Sequence, residues 1–170
     1  VGCDISPRAI ELFQEKDFYK ENSARFDVFV ADIIKDDLAG RVGGESVDIA
    51  TSIFVLSALP PESLSAVIRN VWGTLKPGGS WFIRDYAAND AAQHRFDASH
   101  SQLSRRLFVR QDGTLAHYFD HEEVIDILTR DHLFQVVESK EIRSRTCNVK
   151  TGLDLERVSL QLKLERNGVM

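Results

Sequence analysis

The chain has 170 residues, of which 43% are hydrophobic and 28% charged, and it carries a formal net charge of −5. This length and balance predict one globular domain over residues 1–170, and they exclude a chain that binds nucleic acid through a general excess of positive charge. No segment approaches the roughly 20 apolar residues of a membrane span, so no membrane association is expected.

Cysteine usage bears on the compartment of the protein. Cys3 and Cys147 are the only two cysteines, and neither belongs to a C-x-x-C pair. The pattern excludes a disulfide framework and a thiolate zinc site built from this chain, and it predicts a reducing, intracellular compartment. We expect a cytoplasmic protein, with the nucleus and the mitochondrion as open alternatives.

The first residues, VGCDIS, have the pattern of the end of a buried strand followed by the start of a helix. The apolar run ends at Asp4. Ser6 and Pro7 are suited to the cap and the first turn of a helix. Because such a strand usually has further structure before it, we expect the chain to lack an N-terminal portion of its domain.

Two further apolar runs predict strands. RFDVFVAD alternates apolar side chains and stops at Asp32. The run SVDIATSIFVLSAL, residues 46–59, is nearly continuous in apolar and β-branched residues, which predicts a strand buried on both faces.

The middle of the chain predicts a helix and another strand. Apolar residues recur at helical spacing from Pro60 to Leu75. LKPGG, residues 75–79, is expected to end this helix because proline stops propagation and glycine permits a reversal. SWFIRDY, residues 80–86, is the predicted next strand.

The segment from Ala87 to about Ser104 is polar and only weakly periodic, which predicts a functional loop. LFVRQDGTLAHYF, residues 107–119, predicts a hairpin because Asp112 and Gly113 form a strong turn dipeptide between apolar runs.

The last part of the chain predicts a helix and two strands. Asp120 and Glu123 have the spacing of a capping box. FQVVESKEIRSR and ERVSLQLKLER are the predicted strands. The whole pattern predicts an α/β fold with a mostly parallel sheet and an antiparallel last strand.

Three carboxylates fall where strands end, which is where open parallel sheets bind ligands. Asp4 is suited to accept hydrogen bonds from both ribose hydroxyls of a nucleoside cofactor, or it only stabilises the next helix by up to about 1 kcal/mol. Asp32 is placed for contact with the edge of a base, or it caps the short helix that begins at Ile33. Asp85 follows Arg84, and an ion pair with an arginine is its alternative role.

Other kinds of site are not predicted. The histidines and cysteines lack the ligand spacing and supporting acid of a metal site. No serine lies in a nucleophile elbow. The ten glycines never form G-x-G-x-x-G, so we expect the loop that cradles a cofactor to be absent from this chain.

The motifs CDIS, VAD, VDIATSIFVLSAL and LKPGG resemble those of class I S-adenosylmethionine-dependent methyltransferases. RDYAANDAAQHRF followed by FVRQDGTLAHYF is more specific and resembles the tRNA 3-methylcytidine methyltransferase family, which modifies cytidine in the anticodon loop. The resemblance extends from Asp4 to Leu164. It implies a Rossmann-like fold with strand order 3-2-1-4-5-7-6, with the first strand and the glycine-rich loop missing here.

The resemblance implies S-adenosylmethionine as the cofactor and suggests which residues bind it. Asp4 would hold the ribose. Asp32 and Ile33 would flank the adenine, and Ile53 and Phe54 would line the methionine side.

The resemblance also implies that five residues face the target nucleotide or its backbone: Asp85, Tyr86, Arg95, Arg110 and Asp112. We assign catalytic roles to the first two. The Asp85 carboxylate would favour the cationic product, and the Tyr86 ring would stack on the extruded base, a contact worth about 1–3 kcal/mol. The implied partners are tRNA and an accessory protein for tRNA selection.

Two alternatives stay open from the sequence. A class I methyltransferase that acts on a small molecule or a protein would have the same cofactor half. An inactive fragment is the second alternative, because VGCD and VDIATSIF would be facing edges whose unpaired backbone groups cost on the order of 1–3 kcal/mol each. We therefore expect residues 1–170 alone to fold poorly and not to bind S-adenosylmethionine.

Overall fold

The structure is a computed structural model that describes residues 1–97, 101–148 and 152–168. Helices and strands alternate through the first half of the chain, and strands dominate the second half. In chain order the elements are β1 (Gly2–Asp4), α1 (Pro7–Gln14), α2 (Asp17–Glu21), β2 (Val28–Val30), α3 (Leu38–Val42), β3 (Val47–Ile53), α4 (Leu64–Thr74), β4 (Leu75–Tyr86), α5 (Ala91–Asp97), β5 (Gln102–Ser104), β6 (Leu107–Val109), β7 (Leu115–His117), α6 (His121–Thr129), β8 (Phe134–Asn148) and β9 (Leu153–Arg166).

The predicted start of the chain is confirmed, since β1 ends at Asp4 and α1 begins at Pro7. The Ser6 hydroxyl accepts a hydrogen bond from the Ala9 N–H at 3.2 Å, which satisfies one of the free donors at the helix start. Pro7 has no N–H to leave unpaired in this first turn.

Within the described residues the strands form three sheets. β1 and β2 pair in parallel. The largest sheet has the order β3-β4-β9-β8, in which β3 and β4 are parallel and the other pairs antiparallel. The two orders β2-β1 and β3-β4-β9-β8 match the two flanks of the expected order 3-2-1-4-5-7-6. The Rossmann-like fold with an antiparallel last strand is therefore confirmed.

A cleft of about 580 Å³ separates these two sheets. Gly2 and Cys3 of β1 line one wall, and residues 47–52 of β3 line the other. Ile49 is 60% exposed and Ile53 is 53% exposed. The prediction that this strand is buried on both faces is wrong, because nothing among the described residues packs over these side chains beside the cleft.

The hydrophobic core lies where α4 and α6 cover the sheet. Alternate residues of β4 and β9 face it, as expected for strands with one buried face: Trp81, Ile83, Leu160, Leu162 and Leu164. This packing holds the end of β4 in place, and the candidate catalytic residues lie at that end.

The segment LKPGG ends α4 as predicted, but the strand begins earlier than expected. Leu75 already pairs with Val47, and the ladder resumes where Ser80 pairs with Ile49. Residues 76–79 therefore form an excursion within β4, and Gly78 adopts a φ of 75° that favours glycine.

The prediction of a loop from Ala87 to Ser104 is wrong for the described part of this segment, which contains α5 and β5; residues 98–100 lie outside the described residues. Its apolar packing involves two residues of α5. Ala92 and Phe96 pack in a small hydrophobic cluster with Phe108, Ala116 and Tyr118. Two apolar positions do not produce a periodic signal in the sequence.

The predicted hairpin is confirmed by β6 and β7, which are antiparallel, with Gly113 at a φ of 82° in the turn. The Ala88 N–H donates to the Phe119 carbonyl at 2.8 Å and joins this part to the end of β4. Asp120 caps α6 by accepting from the N–H groups of Glu122 and Glu123. Within the described residues, no helix has the length and apolar character needed to cross a membrane.

Candidate active site

The predicted ribose ligand, Asp4, lies at the carboxyl end of β1. One carboxylate oxygen accepts the Ser6 N–H at 2.8 Å. The other oxygen has no hydrogen-bond partner among the residues that the structure describes, and the side chain is exposed. Asp4 is therefore tied to the start of α1 and still has an oxygen available to a ligand.

Asp32 lies beside Asp4, because it follows the neighbouring strand β2, in which Val30 is opposite Asp4. Its carboxylate accepts the Ile34 N–H at 2.9 Å and pairs with Lys35 at 3.1 Å. These contacts hold the pKa of the Asp32 carboxyl below its usual range. Asp32 therefore caps a turn, in place of the predicted short helix.

The predicted methionine side lies across the cleft, at the end of β3. Ile53 and Phe54 are exposed there, and the half-buried Ile33 lines the cleft. Phe54 has a φ of 55°, a left-handed conformation that costs a bulky residue on the order of 1–3 kcal/mol. A hydrogen bond of 2.7 Å from its N–H to the Arg84 carbonyl holds this conformation.

Asp85 points into the protein and is only 2% exposed. Its two carboxylate oxygens accept the N–H groups of Ser57 at 3.0 Å and Tyr86 at 2.9 Å. Burial raises the pKa of the Asp85 carboxyl, and the hydrogen bonds from Ser57 and Tyr86 oppose that shift. In this structure Asp85 holds the turn after β3 against the end of β4, and its ion pair with Arg84 does not occur.

Tyr86 is surrounded by aromatic rings and guanidinium groups. Its ring centroid lies 4.8 Å from that of Phe54 and 5.5 Å from that of Tyr118. The guanidinium carbons of Arg110 and Arg157 lie 5.5 and 5.9 Å from the Tyr86 centroid. The predicted cofactor side and the predicted target side therefore meet in the contact between Phe54 and Tyr86.

The three predicted substrate residues, Arg95, Arg110 and Asp112, line one open cleft of about 630 Å³. Asp112 accepts the N–H and the hydroxyl of Thr114 at 3.0 and 2.7 Å, and these bonds hold the pKa of its carboxyl below the usual range. Asp112 thus stabilises the hairpin turn, whereas the two arginines give the cleft its positive charge.

Sequence reasoning missed three residues of this region: Asp90, Tyr118 and Arg157. Tyr118 is buried, and burial raises its pKa to about 12. Asp90 had a local signal, because an aspartate just before a helical turn is a typical cap. Arg157 had none, because a charged residue in a predicted strand usually faces solvent.

No group of His, Cys, Asp and Glu in the described part of the chain is arranged to hold a metal ion.

The architecture is that of class I S-adenosylmethionine-dependent methyltransferases. A crystal structure of an S-adenosylmethionine-dependent methyltransferase from Methanosarcina mazei superposes with a TM-score of 0.72 at 20% identity, over 98% of this chain and 81% of that one. One from Anabaena variabilis gives a TM-score of 0.70 at 15% identity, over 98% of this chain and 67% of the other. A family model described as a methyltransferase domain matches residues 1–81.

Curated sequences narrow this class. The chain is 42% identical over 165 residues to a tRNA N(3)-cytidine methyltransferase of Mus musculus, covering 97% of this chain and 57% of that protein. It is 38% identical over 161 residues to a tRNA N(3)-methylcytidine methyltransferase of Schizosaccharomyces pombe, covering 94% and 64%. The chain is a homologue of the tRNA N(3)-cytidine methyltransferases, which confirms the resemblance found in the sequence, and it spans a little over half the length of these relatives.

Proposed function

We propose that the full-length protein transfers a methyl group from S-adenosylmethionine to N3 of a cytidine in the anticodon loop of tRNA. The observation that carries this proposal is the ring contact between Phe54 and Tyr86 at 4.8 Å. It joins the residues expected to hold the cofactor to those expected to hold the target base.

The residues present fit the cofactor. Asp4 has an exposed carboxylate oxygen for ribose hydroxyls, Asp32 and Ile33 lie on the adjacent strand end, and Ile53 and Phe54 offer an exposed apolar surface. We assign cofactor binding to these five residues. When bound, S-adenosylmethionine supplies an electrophilic methyl group on sulfur.

Cytosine N3 has an in-plane lone pair, so the reaction needs no strong base. Bound S-adenosylmethionine would supply the methyl group and leave as the neutral thioether, so the positive charge would come to lie on the base. The enzyme mainly has to position the base in line, which can contribute several kcal/mol. We assign the stacking of the base to Tyr86.

We assign stabilisation of the cationic base to the Asp85 carboxylate, which is buried and accepts a hydrogen bond from the Tyr86 N–H. Both of its oxygens accept backbone hydrogen bonds, so this role is electrostatic and needs no direct contact with the base. Arg95 and Arg110 line the adjacent cleft, where their charges suit RNA phosphates, and Asp112 keeps the loop that carries Arg110 in shape.

The wider setting is part of the same proposal. We propose that residues 1–170 belong to a single methyltransferase domain. The free cysteines Cys3 and Cys147 support a reducing compartment, the cytoplasm first. An accessory protein for tRNA selection would find a joined aromatic surface at Phe13 and Phe18, which are 39% and 63% exposed and both pack on Phe26.

The test uses full-length protein, labelled S-adenosylmethionine and an unmodified tRNA transcript. Label is expected in 3-methylcytidine after digestion to nucleosides, and none when the anticodon-loop cytidine is replaced by uridine. Label in another nucleoside would contradict the proposal. Label only in protein or in small acceptors offered in parallel would favour the alternative class I methyltransferase.

A further inference from the structure

A buried carboxylate holds a guanidinium group beside Tyr86. Asp90 is completely buried, and its Oδ2 accepts hydrogen bonds from the Nε of Arg157 and from the Val158 N–H, both at 2.8 Å. Its Oδ1 accepts the Ala92 N–H at 2.7 Å. A buried charge is costly unless it is paired and hydrogen-bonded, and here three donors satisfy it.

The bond to Asp90 uses only one edge of the Arg157 guanidinium. Its two terminal amino groups have no hydrogen-bond partner within residues 1–97, 101–148 and 152–168, and the side chain is 36% exposed. The guanidinium carbon lies 5.9 Å from the centroid of the Tyr86 ring. Arg157 therefore has two oriented donors and a full positive charge next to the ring expected to stack on the target base.

A second guanidinium group lies near the same ring. The carbon of the Arg110 guanidinium is 5.5 Å from the Tyr86 centroid, so two positive charges lie near one aromatic ring. An aromatic ring for the base and guanidinium groups for the backbone are the elements with which proteins bind single-stranded nucleic acid. Arginine is especially suited to phosphate because its donors form a planar fork.

The same carboxylate also fixes the start of α5. The Oδ1 of Asp90 accepts the Ala92 N–H. The backbone carbonyl of Asp90 accepts the His94 N–H at 3.4 Å. α5 carries Arg95, which lines the cleft that Arg110 also lines. One buried side chain thus bonds to both α5 and β9, the elements that carry Arg95 and Arg157.

We propose that Arg157 binds a backbone phosphate of the RNA strand that carries the target cytidine, and that Asp90 is the positioning residue that directs its terminal amino groups outward. This inference rests on the proposed function, because it requires RNA at Tyr86. It adds a substrate ligand on β9, outside the segment that the sequence motifs mark.

The test measures the affinity of full-length protein for a fluorescent tRNA transcript between about 50 and 200 mM salt. Arg157→Gln removes one phosphate contact, so we expect about tenfold weaker binding and a fall of about 0.7–0.9 in the magnitude of the slope of log K against log salt. Arg69→Gln is the matched control, because exposed Arg69 lies on α4 and pairs with Asp131. It is expected to leave both quantities unchanged.

A conservative variant separates charge from geometry. Arg157→Lys keeps the charge, so the wild-type slope is expected, but an ammonium group held on Asp90 has no planar fork to present to a phosphate, so affinity falls several-fold. An unchanged slope in a folded Arg157→Gln overturns the inference. If that variant does not fold, wild-type affinity in Arg157→Lys overturns it instead.

A second RNA distinguishes this inference from the proposed function. The same titrations are made with an unstructured single-stranded oligonucleotide. If the tRNA is methylated at N3 but Arg157→Gln keeps the wild-type slope with both RNAs, only the inference fails. If the tRNA is not methylated and the slope with the oligonucleotide still depends on Arg157, only the proposed function fails.

Discussion

Replacement of Tyr86 by alanine is expected to weaken both the fold and tRNA binding. The ring makes two aromatic contacts, with Phe54 and Tyr118, each worth about 0.5–1.5 kcal/mol beyond area burial. The guanidinium groups of Arg110 and Arg157 add about 0.5–1 kcal/mol each. Tyr86→Ala should therefore lower the free energy of unfolding by about 2–5 kcal/mol, which corresponds to a drop of about 4–20 °C in melting temperature.

Tyr86→Phe is the matched control, because it keeps the ring and with it the contacts to Phe54, Tyr118, Arg110 and Arg157. Its melting temperature should stay within about 3 °C of wild type. The lost stacking on the base, about 1–3 kcal/mol, should raise the Kd for tRNA at least fivefold in Tyr86→Ala only. Thermal melts and tRNA titrations on full-length protein measure these effects. If Tyr86→Ala and Tyr86→Phe behave alike in both assays, the ring has neither role.

Three other predictions concern the carboxylates and the cleft. Asp4→Asn should weaken S-adenosylmethionine binding about tenfold by calorimetry, because a charge-assisted acceptor is lost, and an unchanged Kd would remove Asp4 from the cofactor site. Burial raises the pKa of the Asp85 carboxyl in the folded protein above its value in the unfolded chain. Protonation of Asp85 therefore contributes its full stabilisation of the fold below about pH 4, and this contribution is lost as the pH rises through the pKa of the folded state. In Asp85→Asn the melting temperature should no longer show the fall with rising pH that ionisation of Asp85 causes. The same variant should have a lower turnover at saturating cofactor, and normal turnover would refute the electrostatic role. Residues 1–170 alone should bind S-adenosylmethionine at least a hundredfold more weakly than full-length protein, since the edges of β1 and β3 face an open cleft, and micromolar affinity would contradict this.

The features that the sequence predicts well are those fixed by neighbouring residues. Ser6 caps α1 through a bond to Ala9, three positions away. The turn at Asp112 and Gly113 depends on a side chain that bonds two residues ahead and on a glycine with positive φ. The partners in such interactions are two or three positions apart in the sequence, so local sequence patterns are sufficient to predict them.

The features that the sequence does not predict depend on distant contacts. Asp90 and Arg157 are 67 positions apart, and neither residue type alone indicates a buried pair. The inward orientation of Asp85 depends on the Ser57 N–H, 28 positions away. The exposure of Ile49 depends on what covers β3, which the composition of the strand itself does not determine.

The aromatic contacts at the end of β4 have a thermodynamic consequence. Phe54, Tyr86 and Tyr118 form a continuous row of rings, in which neighbouring centroids are 4.8 and 5.5 Å apart. If a ligand at Phe54 reorients this row, it changes the surface offered beyond Tyr86. The free energy of that coupling is reciprocal. If the ligand at Phe54 raises the affinity for a ligand at Tyr86 by some factor, the ligand at Tyr86 raises the affinity for the ligand at Phe54 by the same factor.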